Sequence, residues 1–232
     1  MALKGVIFDS DGVLVNTEEL CAHAEADVLN SYGMKCTFEM RMPHITGISL
    51  KQHEIILAED FRKAMGRAMP ETVMPDIMKA YQVLEDKSEL AVDGVRDVID
   101  MLRHHRVPMA IGSNSRQESL KRKLNRAGLY ELFNARNIHG NSPERQPKPA
   151  PDVYITAARS MNLRPQECVV VEDSPIGVKS GKLAGSYVVG FAGICHIIKD
   201  QHKGLFNAGA DEVVAHMNIL EKRLIQLLSA PS

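Results

Sequence analysis

The sequence predicts an α/β fold: a doubly wound parallel sheet with a small α-helical domain inserted into it. Short, mostly continuous apolar runs recur along the chain, and a helical pattern follows each of them, which is typical of strands buried on both faces of a parallel sheet. Residues 17–88, in contrast, keep a helical character and contain no convincing strand. We therefore expect a core domain formed by residues 1–16 and 89–232, and an inserted helical domain formed by residues 17–88.

The composition indicates an ordinary globular protein with enough length for a large core. The chain has 232 residues, 44% of them hydrophobic, and a formal net charge of -1. This charge balance gives no reason to expect a nucleic-acid partner or a membrane partner, and no apolar run is long enough to span a bilayer. Residues 1–4 show no secretory signal, and the four cysteines have neither C-x-x-C nor zinc-ligand spacing. We expect a cytoplasmic monomer with reduced thiols.

The first apolar run, residues 3–8, predicts a buried strand that ends in Asp9-Ser10-Asp11-Gly12. Two carboxylates therefore stand close together at the end of a strand, and a glycine allows the chain to turn. Taken alone, so short a motif is better explained by an ordinary Asx or glycine turn. An EF-hand loop is excluded, because the residues that follow do not supply its further oxygen ligands or its final glutamate.

The inserted region predicts three helices. The first covers residues 18–32, with Thr17 as its N-cap and Gly33 as its stop signal. The other two cover residues 51–65 and 72–84, where apolar residues recur at helical spacing.

The rest of the core alternates predicted helices and strands. A helix around residues 95–102 leads to a strand at 107–111, and Ser115 to Glu118 fits a capping box that starts a helix at Ser115. A loop rich in proline and asparagine follows at 134–151. The remaining predictions are helices at 152–161, 176–184 and 217–228, strands at 168–171, 187–191 and 212–214, and a surface loop at 195–204 that carries His196 and His202.

Polar side chains stand at the ends of three predicted strands: Asp9 and Asp11, then Ser113 and Asn114, then Glu172 and Asp173, with Lys148 on a loop that leads to the same layer. Because the strands of a parallel sheet end on the same edge, these groups are expected to converge on one site. Each has a simpler explanation by itself, as a turn residue, a solvated lysine or a partner of a helix dipole. Their combination at strand ends favours a functional site.

The chemistry that this set indicates is phosphoryl transfer. A carboxylate that attacks a phosphate dianion needs neighbouring positive charge, which Mg²⁺ on the oxygens of Asp9, Asp173 and Glu172 would supply. Lys148 offers a further cation, and Ser113 a hydroxyl. Asp11 remains as a second carboxylate that can transfer protons.

The chain resembles the haloacid dehalogenase superfamily, because four sequence motifs match those of the superfamily in the same order over nearly the whole chain. They are residues 9–18 (DSDGVLVNTE), residues 113–115 (SNS), residues 148–152 (KPAPD) and residues 171–177 (VEDSPIG). The most similar members are the β-phosphoglucomutase-like phosphatases, which insert a helical cap after the first motif.

The resemblance implies a role for each matched residue. Asp9 would be the nucleophile that becomes an aspartyl-phosphate, and Asp11 would protonate the leaving alcohol and then activate water. Mg²⁺ would bind the Asp9 carboxylate, the Asp11 backbone carbonyl and Asp173, with Glu172 close by or bound through water.

It also implies a phosphate clamp formed by Ser113 and Lys148, with Asn114 nearby. The expected function is hydrolysis of a small phosphorylated metabolite, a sugar or sugar-acid phosphate. An acid–base residue at Asp11 favours phosphate chemistry over dehalogenation, since a leaving alkoxide needs a proton and a halide does not.

Departures from the pattern bear on the alternatives. Asn16 replaces the acidic residue that is usual at its place in the first motif. Cys21 and Leu50 align with a histidine and an arginine that the mutases use, and these two departures favour simple hydrolysis over phosphomutase activity. A phosphoacceptor signalling domain is a third alternative, but it would not need the helical insertion. The candidate substrate contacts on the insertion are His23, Arg41, His44 and Lys51.

Overall fold

The computed structural model describes residues 3–45, 50–88, 90–193 and 201–229. The chain divides into two compact units, one formed by Met1–Asn16 with Leu90–Ser232 and the other by Thr17–Glu89. The predicted surface residue His196 lies outside the described residues, and so does the side chain of Lys51.

The larger unit contains a parallel sheet of six strands within the described residues, in the order β3-β2-β1-β4-β5-β6. This confirms the predicted α/β fold with a doubly wound parallel sheet. The strands are β1 Gly5–Phe8, β2 Met109–Arg116, β3 Ile138–Asn141, β4 Cys168–Glu172, β5 Tyr187–Phe191 and β6 Glu212–Val214.

Helices connect the strands and form the smaller unit. They are α1 Glu18–Ser31, α2 Phe38–Arg41, α3 Leu50–Met65, α4 Val73–Lys87, α5 Val95–His104, α6 Gln117–Arg126, α7 Asp152–Ser160, α8 Pro175–Ala184, α9 Gln201–Asn207 and α10 Met217–Ser229. Across the described ranges, none of these helices combines the length and the hydropathy that crossing a bilayer requires.

The central position of β1 follows from its apolar sequence. Val6, Ile7 and Phe8 are fully buried, and the strand pairs with β2 on one side and β4 on the other. A strand covered on both faces and paired along both edges needs an uninterrupted apolar run. The three strands whose ends carry the predicted site residues are therefore neighbours in the sheet.

The strand β3 lies where the sequence predicted a loop, so that prediction is wrong over residues 138–141. Its sequence, Ile-His-Gly-Asn, has no continuous apolar run, and its strand conformation comes from pairing with β2. Gly140 allows the close approach, because a Cβ there would lie 2.7 Å from the backbone oxygen of Ser115.

The predicted capping box at Ser115 is also wrong. The strand β2 continues to Arg116, and α6 begins only at Gln117. Pairing of Arg116 with Asn141 of β3 keeps this segment extended. Ser115 is consequently a strand residue, and its hydroxyl is available to the site.

The predicted loop at 195–204 is wrong for residues 201–204, because these residues belong to α9. His202 is exposed on this helix. The signals at the two ends of α8 agree with the structure. Ser174 caps α8 by accepting a hydrogen bond from the Gly177 backbone N–H at 3.1 Å, and Gly185 ends the helix at a φ of 89°.

The described elements of the smaller unit are helices, and their packed interior is mainly apolar but also contains buried charged side chains. Leu29, Leu57 and Phe61 are among the fully buried side chains of its core. Arg41 is also buried, where it forms an ion pair with Glu25. The short helix α2, which carries Arg41, was not predicted.

Candidate active site

The turn after β1 brings the first acidic motif to the sheet edge. Asp9 extends the strand by donating its backbone N–H to the Val171 carbonyl of β4 at 2.9 Å. Gly12 then adopts a φ of 82°, a left-handed conformation that glycine adopts without steric cost. A Cβ at Gly12 would lie 1.9 Å from an oxygen of Asp173, so only glycine leaves room for that carboxylate.

Three acidic side chains form a compact buried cluster at this edge. Carboxylate oxygens of Asp9, Glu172 and Asp173 lie within 4.8 Å of one another, and the three residues are 8%, 0% and 4% exposed. Hard oxygen donors at this spacing fit a divalent cation such as Mg²⁺. The residues present therefore could hold a metal ion.

The ammonium group of Lys148 lies between two of these carboxylates. Its Nζ is 2.6 Å from Oδ1 of Asp9 and 2.6 Å from Oε1 of Glu172, and the side chain is 4% exposed. Burial lowers the pKa of Lys148, but the two carboxylates raise it above its ordinary value, so the group stays charged. The Asn114 side-chain oxygen orders this loop by accepting the Lys148 backbone N–H at 2.9 Å.

The environment of Asp9 is that of a poorly solvated carboxyl group. The pKa of Asp9 is raised to about 7, mainly by burial; Glu172 and Asp11 also raise it, and Lys148 lowers it. A cation bound beside Asp9 would favour the ionised form. A carboxylate with little hydration has less water to lose before it reacts with another group.

Glu172 is fixed by donors on both oxygens. Its Oε1 accepts the Tyr154 hydroxyl at 2.7 Å, and its Oε2 accepts the backbone N–H and the hydroxyl of Ser174 at 3.1 and 3.0 Å. Burial and the nearby carboxylates raise the pKa of Tyr154 well above its usual value, so it remains a donor. No motif in the sequence pointed to Tyr154.

Asp11 has different partners from the acidic cluster. Its Oδ1 accepts a hydrogen bond from Lys123 Nζ of α6 at 2.6 Å, and its Oδ2 accepts one from the Ser115 hydroxyl at 2.8 Å. Neither partner was predicted. Lys123 lies within a run of basic residues that carries no recognisable signal, and Ser115 was assigned to a helix cap.

The remaining predicted phosphate-binding residue, Ser113, lies within β2 and is only 2% exposed. Its hydroxyl oxygen accepts the Ser115 backbone N–H at 3.0 Å. The structure therefore places Asp9, Asp11, Ser113, Asn114, Lys148, Glu172 and Asp173 on one sheet edge and the loop that joins it.

The candidate contacts on the smaller unit have local partners there. Arg41 Nη1 lies 3.0 Å from Oδ2 of Asp60, and His44 Nδ1 lies 3.2 Å from the same oxygen. His23 stacks on Phe38 with ring centroids 4.0 Å apart. We assign Arg41 to the internal packing of the unit, because its buried guanidinium pairs with Asp60 and Glu25.

Comparisons with known proteins support a common family. The sequence model of the haloacid dehalogenase-like hydrolases matches residues 6–191. A phosphorylated carbohydrates phosphatase of Thermotoga maritima is 29% identical over 94% of this chain and 97% of its own length.

Solved structures of related proteins superpose on this chain over nearly its whole length. A hydrolase of this family from Deinococcus radiodurans, crystallised with phosphate and sodium, superposes with a TM-score of 0.87 at 28% identity over 99% of both chains. A proposed β-phosphoglucomutase from Thermotoga maritima gives a TM-score of 0.76 at 26% identity, over 97% of this chain and 99% of the other.

The family match covers most of the chain, so the chain belongs to the haloacid dehalogenase-like hydrolases. Within that superfamily it is a member of the β-phosphoglucomutase-like phosphatase group with a helical insertion, and it is an enzyme of the phosphoric monoester hydrolase class.

Proposed function

We propose that this protein is a Mg²⁺-dependent phosphatase that hydrolyses a small phosphorylated sugar or sugar acid through an aspartyl-phosphate on Asp9. The observation that carries the proposal is the buried cluster of Asp9, Glu172 and Asp173 with Lys148 held 2.6 Å from the Asp9 carboxylate. A cation, a carboxylate that could act as a nucleophile and a cluster that could hold a metal ion lie within a short distance of one another, which supports the proposal.

In the first step an oxygen of Asp9 attacks phosphorus, and the bond between phosphorus and the alcohol oxygen breaks. Asp11, in its protonated form, gives its proton to the departing oxygen. In the second step water attacks the phosphorus of the aspartyl-phosphate, Asp11 takes a proton from that water, and the Asp9 carboxylate leaves. Two smaller barriers thus replace one large barrier.

Positive charge and hydrogen-bond donors would hold the phosphoryl group during both steps. Lys148 and Ser113 supply them from the chain, with Asn114 ordering the Lys148 loop. Asp9, Asp173, the Asp11 backbone carbonyl and Glu172 would hold Mg²⁺, which neutralises part of the phosphate charge when it is bound.

The substrate class rests on the relatives. The Thermotoga maritima protein that is 29% identical acts, by its name, on phosphorylated carbohydrates. We assign the chemistry to the core domain, residues 1–16 and 89–232, and substrate selection to the inserted domain, residues 17–88.

The test is phosphate release from p-nitrophenyl phosphate and from a panel of sugar and sugar-acid phosphates, with Mg²⁺ or with EDTA. Wild type is compared with Asp9→Asn and with Asp100→Asn, a control at a carboxylate that is 66% exposed on α5. We expect release that requires Mg²⁺, survives in the control and is lost in Asp9→Asn. Release by Asp9→Asn at the wild-type rate would contradict the proposal.

A phosphomutase is the second candidate, favoured by the superposition on the proposed β-phosphoglucomutase at a TM-score of 0.76. It would use the same aspartyl-phosphate but return the phosphoryl group to another hydroxyl of the sugar. Isomerisation of a sugar monophosphate that depends on a sugar bisphosphate activator, with little phosphate release, would identify it.

A further inference from the structure

Asp11 differs from the other carboxylates of the site because side chains of α6 and β2 hold it. Lys123 Nζ lies 2.6 Å from Oδ1, the Ser115 hydroxyl lies 2.8 Å from Oδ2, and Lys123 Nζ is also 3.5 Å from the Ser115 hydroxyl oxygen. Each carboxylate oxygen therefore has its own donor, and the two donors contact each other. Such an arrangement fixes both the position and the plane of the carboxylate.

Lys123 is less exposed than the basic residues beside it on α6. Lys121 and Arg122, its neighbours on α6, are exposed, as is usual for basic side chains on a surface helix. The Lys123 side chain is only 14% exposed, and the facing Asp11 side chain is 25% exposed. Withdrawing an ammonium group from water costs free energy that its ion pair with Asp11 offsets.

We propose that Lys123 is a positioning residue that acts through Asp11, holding its carboxylate for the proton transfers to and from the substrate. The inference rests on the proposed function, in which Asp11 is the acid and base. A general acid must reach the leaving oxygen within hydrogen-bond distance, and a displacement of about 1 Å in a positioned group can cost about 100-fold in rate. Lys123 limits the movement of the Asp11 carboxylate at Oδ1, and Ser115 limits it at Oδ2.

The proposal predicts that removing the Lys123 ammonium group lowers kcat/KM by an amount that depends on the leaving group of the substrate. Departure of a sugar alkoxide needs a proton from Asp11, whereas p-nitrophenolate is a stable anion that leaves without one. Because kcat/KM covers the steps up to departure of the leaving group, Lys123→Met is expected to lower kcat/KM by about 100-fold for a sugar phosphate and by about 10-fold or less for p-nitrophenyl phosphate. The loss should lie in kcat, with KM changed by about threefold at most.

Three variants serve as controls. Lys121→Met removes the same side chain from an exposed position of α6 and should retain wild-type kinetics with both substrates. Lys123→Arg keeps the charge and should recover part of the lost kcat. Ser115→Ala removes the donor to Oδ2 and should show the same dependence on the leaving group, so it tests the proposal if Lys123→Met does not fold.

A double-mutant cycle with Asp11→Asn separates this inference from the proposed function. If Lys123 acts through Asp11, Lys123→Met should have little further effect in the Asp11→Asn background. An equal loss in both backgrounds, or wild-type kinetics in Lys123→Met while Asp11→Asn is impaired, would overturn the inference and leave the proposed function standing. Wild-type kinetics in Asp11→Asn would instead remove the proposed role of Asp11, and with it the inference.

Discussion

At the scale of single residues, the site is a set of buried charges that depend on one another. Lys148 stays charged although it is buried, because a carboxylate oxygen of Asp9 and one of Glu172 each lie 2.6 Å from its Nζ. Removing one member of such a set leaves the others buried without a partner, which costs more than the lost contact is worth. Substitutions beside these residues should therefore affect both activity and stability.

Tyr154→Phe is expected to lower kcat by about 10-fold and the free energy of unfolding by about 1–2 kcal/mol, because Glu172 loses a buried donor and can draw Lys148 away from Asp9. Steady-state kinetics and urea unfolding measure the two effects. Tyr187→Phe is the matched control, since its hydroxyl donates to the Glu212 carboxylate at 3.1 Å, away from the acidic cluster. Equal kcat values in the two variants would exclude a role of the Tyr154 hydroxyl in the site.

Glu167 provides a pH-dependent contribution to stability. Hydrogen bonds from Arg164 and Lys4 lower its pKa from the usual 4.5 to about 2. Between about pH 4.5 and pH 2, Glu167 is protonated in the unfolded chain and ionised in the folded chain. The stabilisation by Glu167 is therefore complete above about pH 4.5 and is lost as the pH falls toward 2.

Urea unfolding of wild type and Glu167→Gln tests this dependence. The difference in the free energy of unfolding should be constant between about pH 5.5 and pH 7 and should shrink at about pH 3.5. A difference that does not change over this range would show that Glu167 does not titrate as described.

At the scale of elements, the turn after β1 and the edge strand β3 bring the site residues together. Gly12 lets the chain leave β1 next to Asp173, and Gly140 lets β3 approach the end of β2. Both are positions where a Cβ would collide with a functional or backbone group. The local sequence therefore sets the geometry of the site through glycines as well as through acidic residues.

Gly12→Ala is expected to abolish most phosphatase activity, with a loss of about 100-fold or more, because the new Cβ would displace the Asp173 carboxylate. Gly66→Ala is the control, with a φ of 66° and nothing within 4 Å of the added Cβ. Both variants should lose about 1 kcal/mol from the positive φ, as measured by urea unfolding. Only Gly12→Ala should also need more Mg²⁺ for half-maximal activity, and an equal Mg²⁺ requirement in both would contradict the steric explanation.

At the scale of the whole molecule, the smaller unit is inserted where the larger unit closes on itself. The Asn16 backbone N–H donates to the Leu90 carbonyl at 2.8 Å, and that of Val92 donates to the Leu14 carbonyl at 3.0 Å. The two chain ends that flank the insertion are therefore held together by hydrogen bonds within the larger unit. Each unit also has its own buried apolar residues.

Replacing residues 17–89 by a short Gly-Ser linker should consequently leave a larger unit that folds. We expect circular dichroism of an α/β protein and one cooperative urea transition, because closing a short loop between adjacent ends costs little entropy. A variant with the linker between residues 45 and 50, which keeps both units, controls for the added glycines. Loss of cooperative unfolding in the deletion variant alone would show that the larger unit depends on the smaller one.

The sequence by itself determined the fold class and the acidic motifs at the strand ends. Continuous apolar runs and helical spacing are local patterns, and the parallel arrangement follows from their alternation. The positions of Asp9, Glu172 and Asp173 followed from the same patterns, because all three lie within two residues of the end of a predicted strand.

Only the tertiary structure decided which side chains hold those residues in place. The contacts of Asp11 join residues 104 and 112 positions apart in the chain, and no local pattern marks Ser115 or Lys123 as its partners. The strand β3 likewise depends on pairing with β2 and has a sequence that predicts a loop. Local preference and periodicity are short-range, whereas edge pairing and buried charge contacts form only when distant segments meet.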